Sequence, residues 1–154
     1  MLLAACATSS YDGRGLVPGQ STAADVEKAM GKPAERLQAA GGETVLFYPR
    51  APLGRDTFAA RLRPDGTLVA LEQRLTPENF ARVVPGKTVV REVRELLGPP
   101  STVTRYALRG GELWSYPVMV NNRLFDFLVQ SSDDSVVREA YLLHDPVYDA
   151  PCPC

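Results

Sequence analysis

Cys6 carries the clearest chemistry in this chain, because it closes the run Met1-Leu2-Leu3-Ala4-Ala5-Cys6-Ala7. An apolar stretch leading through small residues to a cysteine reads as the last part of a bacterial secretion signal, and Leu3-Ala4-Ala5-Cys6 looks like a lipobox. In that motif the leader is cleaved before the cysteine, whose sulfur and new amino group then carry acyl chains. A complete leader adds a basic segment and a longer apolar core ahead of it. A covalent lipid on Cys6 is therefore expected, and no other cofactor.

Other reactive residue types are sparse. His144 is the one histidine, next to Asp145-Pro146 at the end of the last apolar run. A Ser-His-Asp site can be drawn around it, but no nucleophile elbow supports one, and it reads as a strand-end histidine. Cys152 and Cys154 flank Pro153 and, with His144, could form a soft site for copper or zinc or, between themselves, a disulfide. A two-residue spacing strains a disulfide, and three ligands at a chain terminus make a weak metal site, so no metal is expected. Asp133-Asp134 sits where a turn is required and reads as a solvated turn rather than a cation site. Tyr48, Trp114 and Tyr116 could form a recognition platform for a partner, although aromatics on a sheet facing helices more often fill a core. The chain reads as non-catalytic.

The elements that would position these residues are written twice. Gly19 and Gly86, Val26 and Val93, Gly31 and Gly98, and Pro33 and Pro100 are each 67 residues apart, and a fixed period marks a duplicated unit. In each copy a Val-Pro-Gly turn leads into a short helix. Ser21 or Thr22, and Thr88, are candidate N-caps, with Asp25 and Glu92 in the first turn. Val26, Ala29 and Met30, like Val93, Leu96 and Leu97, fall on one face that must be buried. Gly31 and Gly98 should close the helices in the left-handed conformation, because the prolines beyond cannot continue them.

Strand signals follow each helix. Gly41-Gly42 precedes Thr44-Val45-Leu46-Phe47-Tyr48-Pro49, and Gly110-Gly111 precedes Glu112-Leu113-Trp114-Ser115-Tyr116-Pro117. The offset drifts to 69 at the glycines and 68 at the tyrosines, so a bulge or loop adjustment is expected there. Residues 57–63 and 67–75 form two further strands around Pro64-Asp65-Gly66. The second copy turns at Asn121-Asn122, runs through Phe125, Phe127 and Val129, turns at residues 132–134 and returns over 136–143. Thr76-Pro77-Glu78 should start a short helix through about Phe80-Ala81-Arg82, and no equivalent is legible before Leu16. The expected division is 1–6 leader remnant, 7–15 flexible tether, 16–75 first repeat, 76–146 second repeat and 147–154 tail, the tail dispensable for folding.

Composition limits the partners. The 154 residues are 45% hydrophobic and 23% charged with net charge −1, and no apolar run approaches the ~18 residues of a membrane span. Residues 16–82 carry nine Lys/Arg against eight Asp/Glu, and 83–154 seven against nine. No basic stripe exists to neutralise phosphates, so nucleic acid is not an expected partner.

Gly86-Lys87-Thr88, Val93, Leu97-Gly98-Pro99-Pro100 and Trp114-Ser115-Tyr116 resemble the SmpA/OmlA (BamE-like) outer-membrane lipoproteins, whose pattern is Gly-x-Thr, a Val-containing helix, Leu-Gly-x-Pro and Trp-x-Tyr. Gly19-Gln20-Ser21, Val26, Met30-Gly31-Lys32-Pro33 and Phe47-Tyr48 match less fully. The resemblance implies an α+β fold of two tandem units, each with helices on a three-stranded antiparallel sheet, and puts Cys6 at the acylated position. It also implies an outer-membrane lipoprotein facing the periplasm, acting in outer-membrane assembly or envelope integrity through contacts with β-barrel assembly components or another envelope protein. The best-known member has one unit, and no counterpart of its partner-binding segment is found before Leu16. The tandem arrangement is also similar to β-lactamase inhibitor proteins, which makes an inhibitor or binding module the alternative.

Overall fold

Each Val-Pro-Gly turn is pinned to the last strand of its own sheet. In this computed structural model, which describes residues 10–39, 41–108 and 110–144, Gly19 N–H donates to the Leu68 carbonyl at 2.7 Å and Leu68 N–H to Ser21 at 2.8 Å. Gly86, Val137 and Thr88 repeat the arrangement at 2.8 and 2.9 Å. The turns therefore deliver helix α1 (Ala23–Met30) onto the sheet β1 (Glu35–Gln38), β2 (Thr44–Pro49), β3 (Thr57–Leu62) and β4 (Leu68–Gln73). After the short helix α2 (Pro77–Phe80), helix α3 (Val90–Leu97) meets the sheet β5 (Thr102–Arg105), β6 (Glu112–Val120), β7 (Arg123–Ser131) and β8 (Val137–His144). The protein is α+β, two tandem repeats each with a four-stranded antiparallel sheet in sequential order.

The fourth strand corrects the three-stranded expectation. β1 and β5 are the added members, four polar-rich residues each at a sheet edge, too short and too hydrophilic to show alternation. α2 starts as expected, with the Thr76 hydroxyl accepting from Asn79 N–H.

The helix starts differ between the copies. Thr22 caps α1, its hydroxyl accepting from Asp25 N–H at 3.3 Å while Thr22 N–H donates to the Asp25 carboxylate at 2.8 Å. In α3 the cap position is Val89, which offers no side-chain bond, and only its N–H is met, by Glu92 at 2.9 Å. Thr88, expected as the cap, instead accepts from Val84 N–H at 2.8 Å, as Ser21 does from Val17 at 2.9 Å. One residue before the cap, the hydroxyl closes the Pro-Gly turn instead.

Both helices end on a glycine with positive φ, 88° at Gly31 and 86° at Gly98. Positive φ is as expected at both, but their ψ values, −169° and −168°, are extended, so the cap is not the left-handed helical one. This region is essentially glycine-only, and it sends the chain straight into the next edge strand.

The drifting offset resolves into a loop. Gln38 pairs with Thr44, whereas Arg105 pairs with Glu112, so the second hairpin loop is one residue longer. Register shifts do occur, between Arg61 and Leu62 and between Gln130 and Ser131, at matching places in the two copies. Asn121 and Asn122, with φ of 49° and 60°, make the tight β6–β7 turn.

Among the described residues two compact units result: 10–48 with Phe58–Gln73, and Pro49–Thr57 with 74–144. In the first, Val26 and Met30 of α1 pack on Leu46, Tyr48, Ala60 and Leu62, while Val45, Phe47 and Ala59 are buried on the opposite sheet face. In the second, Val93 and Leu97 pack on Trp114, Tyr116, Phe127 and Val129, and Phe80 stacks on Phe127 with centroids 4.2 Å apart. Each valine, leucine, methionine or phenylalanine among them stabilises its unit by roughly 1.5–3 kcal/mol through burial. Among the described residues no helix is long and apolar enough to cross a membrane.

Candidate functional site

Strand β6 settles where the aromatic candidates lie. Its alternation puts Trp114, Tyr116 and Val118 on the face under α3, and Trp114 is 5% exposed, Tyr116 1%. Tyr48 is 2% exposed in the first core. All three are core residues, which replaces the recognition-platform reading. The polar ends of the two on β6 serve the fold: the Tyr116 hydroxyl donates to the Gly98 carbonyl at 3.1 Å, tying β6 to the end of α3. A buried bond of this kind is worth about 1 kcal/mol.

A polar network surrounds Trp114. Its indole N–H donates to Glu112 at 2.8 Å, Glu112 also accepts from Arg105 Nε at 2.8 Å, and the Arg94 guanidinium lies 5.9 Å from the indole ring. The Trp114 bond first and the Arg105 bond second hold the Glu112 carboxyl below the ordinary glutamate range. A lowered pKa means that this stabilisation is present at neutral pH and is lost as pH falls through the folded value, which lies below the ordinary glutamate range. Trp114, the one tryptophan, reports on it: its emission should shift on acidification below the ordinary glutamate range in the native chain, and less in Glu112→Gln. Identical titrations would show that the carboxylate does not hold the indole.

The remaining candidates do not come together. Asp133 accepts from Gly111 N–H at 2.7 Å, and Asp134 accepts from Val136 N–H at 3.1 Å and pairs with Arg138 at 2.7 Å. Asp134 thus closes the β7–β8 turn, and Asp133 ties that turn to the loop before β6. The His144 ring meets Phe125 edge-on, centroids 5.1 Å apart. Cys6, Cys152, Cys154 and Asp145 lie outside the described residues, among which no three His, Cys, Asp or Glu side chains are grouped to hold a metal. A depression of about 430 Å³ beside α3 is lined by Arg74, Arg82, Thr88, Glu92, Glu95 and Leu96. Glu92 is used at the helix start and Glu95 pairs with Arg91 at 3.4 Å, so the depression brings mixed charge and no nucleophile–base pair.

No family model and no curated protein matches the chain. Two solved structures are similar to it. One is described as an osmotically inducible lipoprotein, OsmE, with 20% identity and a TM-score of 0.40 over 49% of this chain and 80% of that one. The other is a DUF4309 family protein, YjgB, from Bacillus subtilis subsp. subtilis str. 168, with 18% identity and a TM-score of 0.33 over 86% of this chain and 84% of that one.

Proposed function

We propose that this chain is a BamE-like envelope lipoprotein, held by acyl chains on Cys6 in the outer membrane and facing the periplasm. It acts without catalysis, through protein–protein contacts in outer-membrane protein assembly or envelope integrity. One observation carries this reading: the residues that resemble the SmpA/OmlA pattern are consumed in building the fold. Val93 and Leu97 fill the core, Gly98 ends the helix, Trp114 is buried and Tyr116 bonds to Gly98. What they supply is a scaffold, and Leu3-Ala4-Ala5-Cys6 supplies an address.

The anchor is testable by fractionation. The full precursor with Cys6 should sediment with outer membranes and incorporate labelled palmitate, and a Cys6→Ser variant should do neither. Equal partitioning of the two would remove the lipid anchor from the reading. The partner is tested by crosslinking in intact envelopes, where links to β-barrel assembly components are expected. The duplication itself favours a second reading, an inhibitor or binding module of the β-lactamase-inhibitor type, for which the crosslinked partner would be a hydrolase.

A further inference from the structure

From Ser10 onward the chain is built into the first repeat. Ser10 N–H donates to the Ala29 carbonyl, one of the acceptors that the end of α1 leaves open, and the Ser10 hydroxyl accepts from Arg14 N–H at 2.9 Å. Gly13 is buried so closely that a Cβ there would come within 2.5 Å of Leu71 Cδ2 and 3.1 Å of Met30 Sδ. The duplication supplies a control. Residues 10–16 stand 67 positions before 77–83, and Leu16 packs on the first core as Val83 does in the second. Phe58 and Phe127 correspond, because each lies three residues before the register shift of its strand. Where Phe80 stacks on Phe127, the Tyr11 ring meets Phe58 edge-on, centroids 5.9 Å apart. A turn thus fills in the first repeat the place that α2 fills in the second.

Only Ala7, Thr8 and Ser9 separate Ser10 from Cys6. Four steps along the chain reach at most about 14 Å, whatever their conformation. Acyl chains on Cys6 therefore hold the surface around Ser10 within that distance of the lipid. The residue types there suit a headgroup layer. Tyr11 is 49% exposed, an apolar ring with a polar end. Arg14, Lys28 and Lys32 are exposed as well: Arg14 is bonded to Ser10, Lys28 precedes the residue whose carbonyl holds Ser10, and Lys32 lies three residues beyond it. The carboxylates of the same stretch are engaged within the fold. Asp12 accepts from the Ser10 hydroxyl at 3.1 Å, Asp25 from Thr22 N–H at 2.8 Å, and Glu27 pairs with Arg36 at 2.8 Å.

We propose that the surface of the first repeat around Ser10 lies on the phospholipid headgroups of the membrane that holds Cys6. Tyr11 enters the headgroup layer, and Arg14, Lys28 and Lys32 meet its phosphates. This rests on the lipid anchor proposed above and adds to it a face: a protein partner has to bind the chain elsewhere, because the membrane covers this surface. The short reach from Cys6 and the surface chemistry act together. The first brings the repeat to the lipid, and the second fixes which side of it makes contact.

Photo-crosslinking in intact envelopes tests it. With benzoylphenylalanine in place of Tyr11, irradiation of the full precursor in phosphate-labelled cells should give a labelled phospholipid adduct. Lys28, exposed and outside the ring contact, takes the probe if its placement at Tyr11 disturbs the fold, and should give the same adduct. Either yield should exceed severalfold that of the probe at Asp65, in the turn at the far end of β3 from Phe58. A ten-residue glycine–serine insert between Thr8 and Ser9 adds up to roughly 33–36 Å of reach and should lower the adduct severalfold. Palmitate incorporation in the same samples reads the anchor separately. An acylated chain with no lipid adduct, with equal adducts at Tyr11 and Asp65, or with a protein adduct in place of the lipid would overturn this proposal and leave the anchor standing. A chain without acyl label would overturn both.

Discussion

Gly111→Ala should destabilise the protein by about 3 kcal/mol, and Gly42→Ala, in the corresponding loop of the first repeat, by only about 1 kcal/mol. The two glycines precede equivalent strands and have similar φ, +78° and +82°, so the cost of a side chain at positive φ is shared. Their surroundings differ. A Cβ on Gly42 would meet only Pro64 Cγ, at an ordinary 3.4 Å. On Gly111 it would run into the Ser131 carbonyl oxygen and come within 2.9 Å of Ser132 Cα. Both are backbone atoms, at the end of β7 and the start of the turn after it, and cannot rotate aside as a side chain can. The same approach lets Gly111 N–H reach Asp133 at 2.7 Å, a bond that any retreat of the loop would break. Urea denaturation followed by far-UV dichroism reads both sheets, and Trp114 emission reads the second. Equal losses at the two sites would show that the hairpin loop can shift freely.

That contrast marks the limit of what the residues alone disclose. Gly41-Gly42 and Gly110-Gly111 announce a loop in either copy, because glycine pairs ahead of an apolar run have few other uses. Which of them touches another backbone depends on a loop one residue longer and on a turn some twenty residues away, and no local pattern carries that. The same holds for the network at Trp114. Glu112 and Trp114 share a face by strand alternation, but Arg105 joins them only through the β5–β6 register. β5 itself was illegible, since Thr102-Val103-Thr104-Arg105 is exposed along its whole length. The stretches with a period came through well: Val26 with Met30 and Val93 with Leu97 at helical spacing, and Phe125, Phe127 and Val129 at strand spacing. Thr88 misled because a hydroxyl beside a helix start has two uses, and here the turn takes it. The aromatics of β6 were ambiguous because a buried and an exposed platform have the same alternation, and only the position of α3 decides between them.

Val26→Ala and Val93→Ala should each cost roughly 2–3 kcal/mol, and nearly the same amount as each other. Each valine is 0% exposed beneath its helix, and each helix is eight residues long, too short to persist without that contact. Losing two methyl groups removes about 1.6 kcal/mol of transfer free energy, and the cavity left behind adds the remainder. Gly31→Val and Gly98→Val should follow the same rule at the other end of each helix. At Gly31 an added Cβ would meet nothing within 4 Å, so the cost comes from the backbone alone, which must leave φ 88°, ψ −169°. A β-branched residue cannot hold that conformation without roughly 1–3 kcal/mol of strain, and Gly98, at φ 86° and ψ −168°, is bound by the same geometry. One difference tests the comparison further. α1 has the Thr22 cap and α3 has none, so Thr22→Val should cost about 1 kcal/mol, whereas Val89→Thr should add stability to α3. Matched losses within the valine pair and within the glycine pair, with opposite signs at the two caps, are the expected result in chemical denaturation. A copy indifferent at both its valine and its glycine would mean that its helix does not hold its sheet, whatever the backbone geometry repeats.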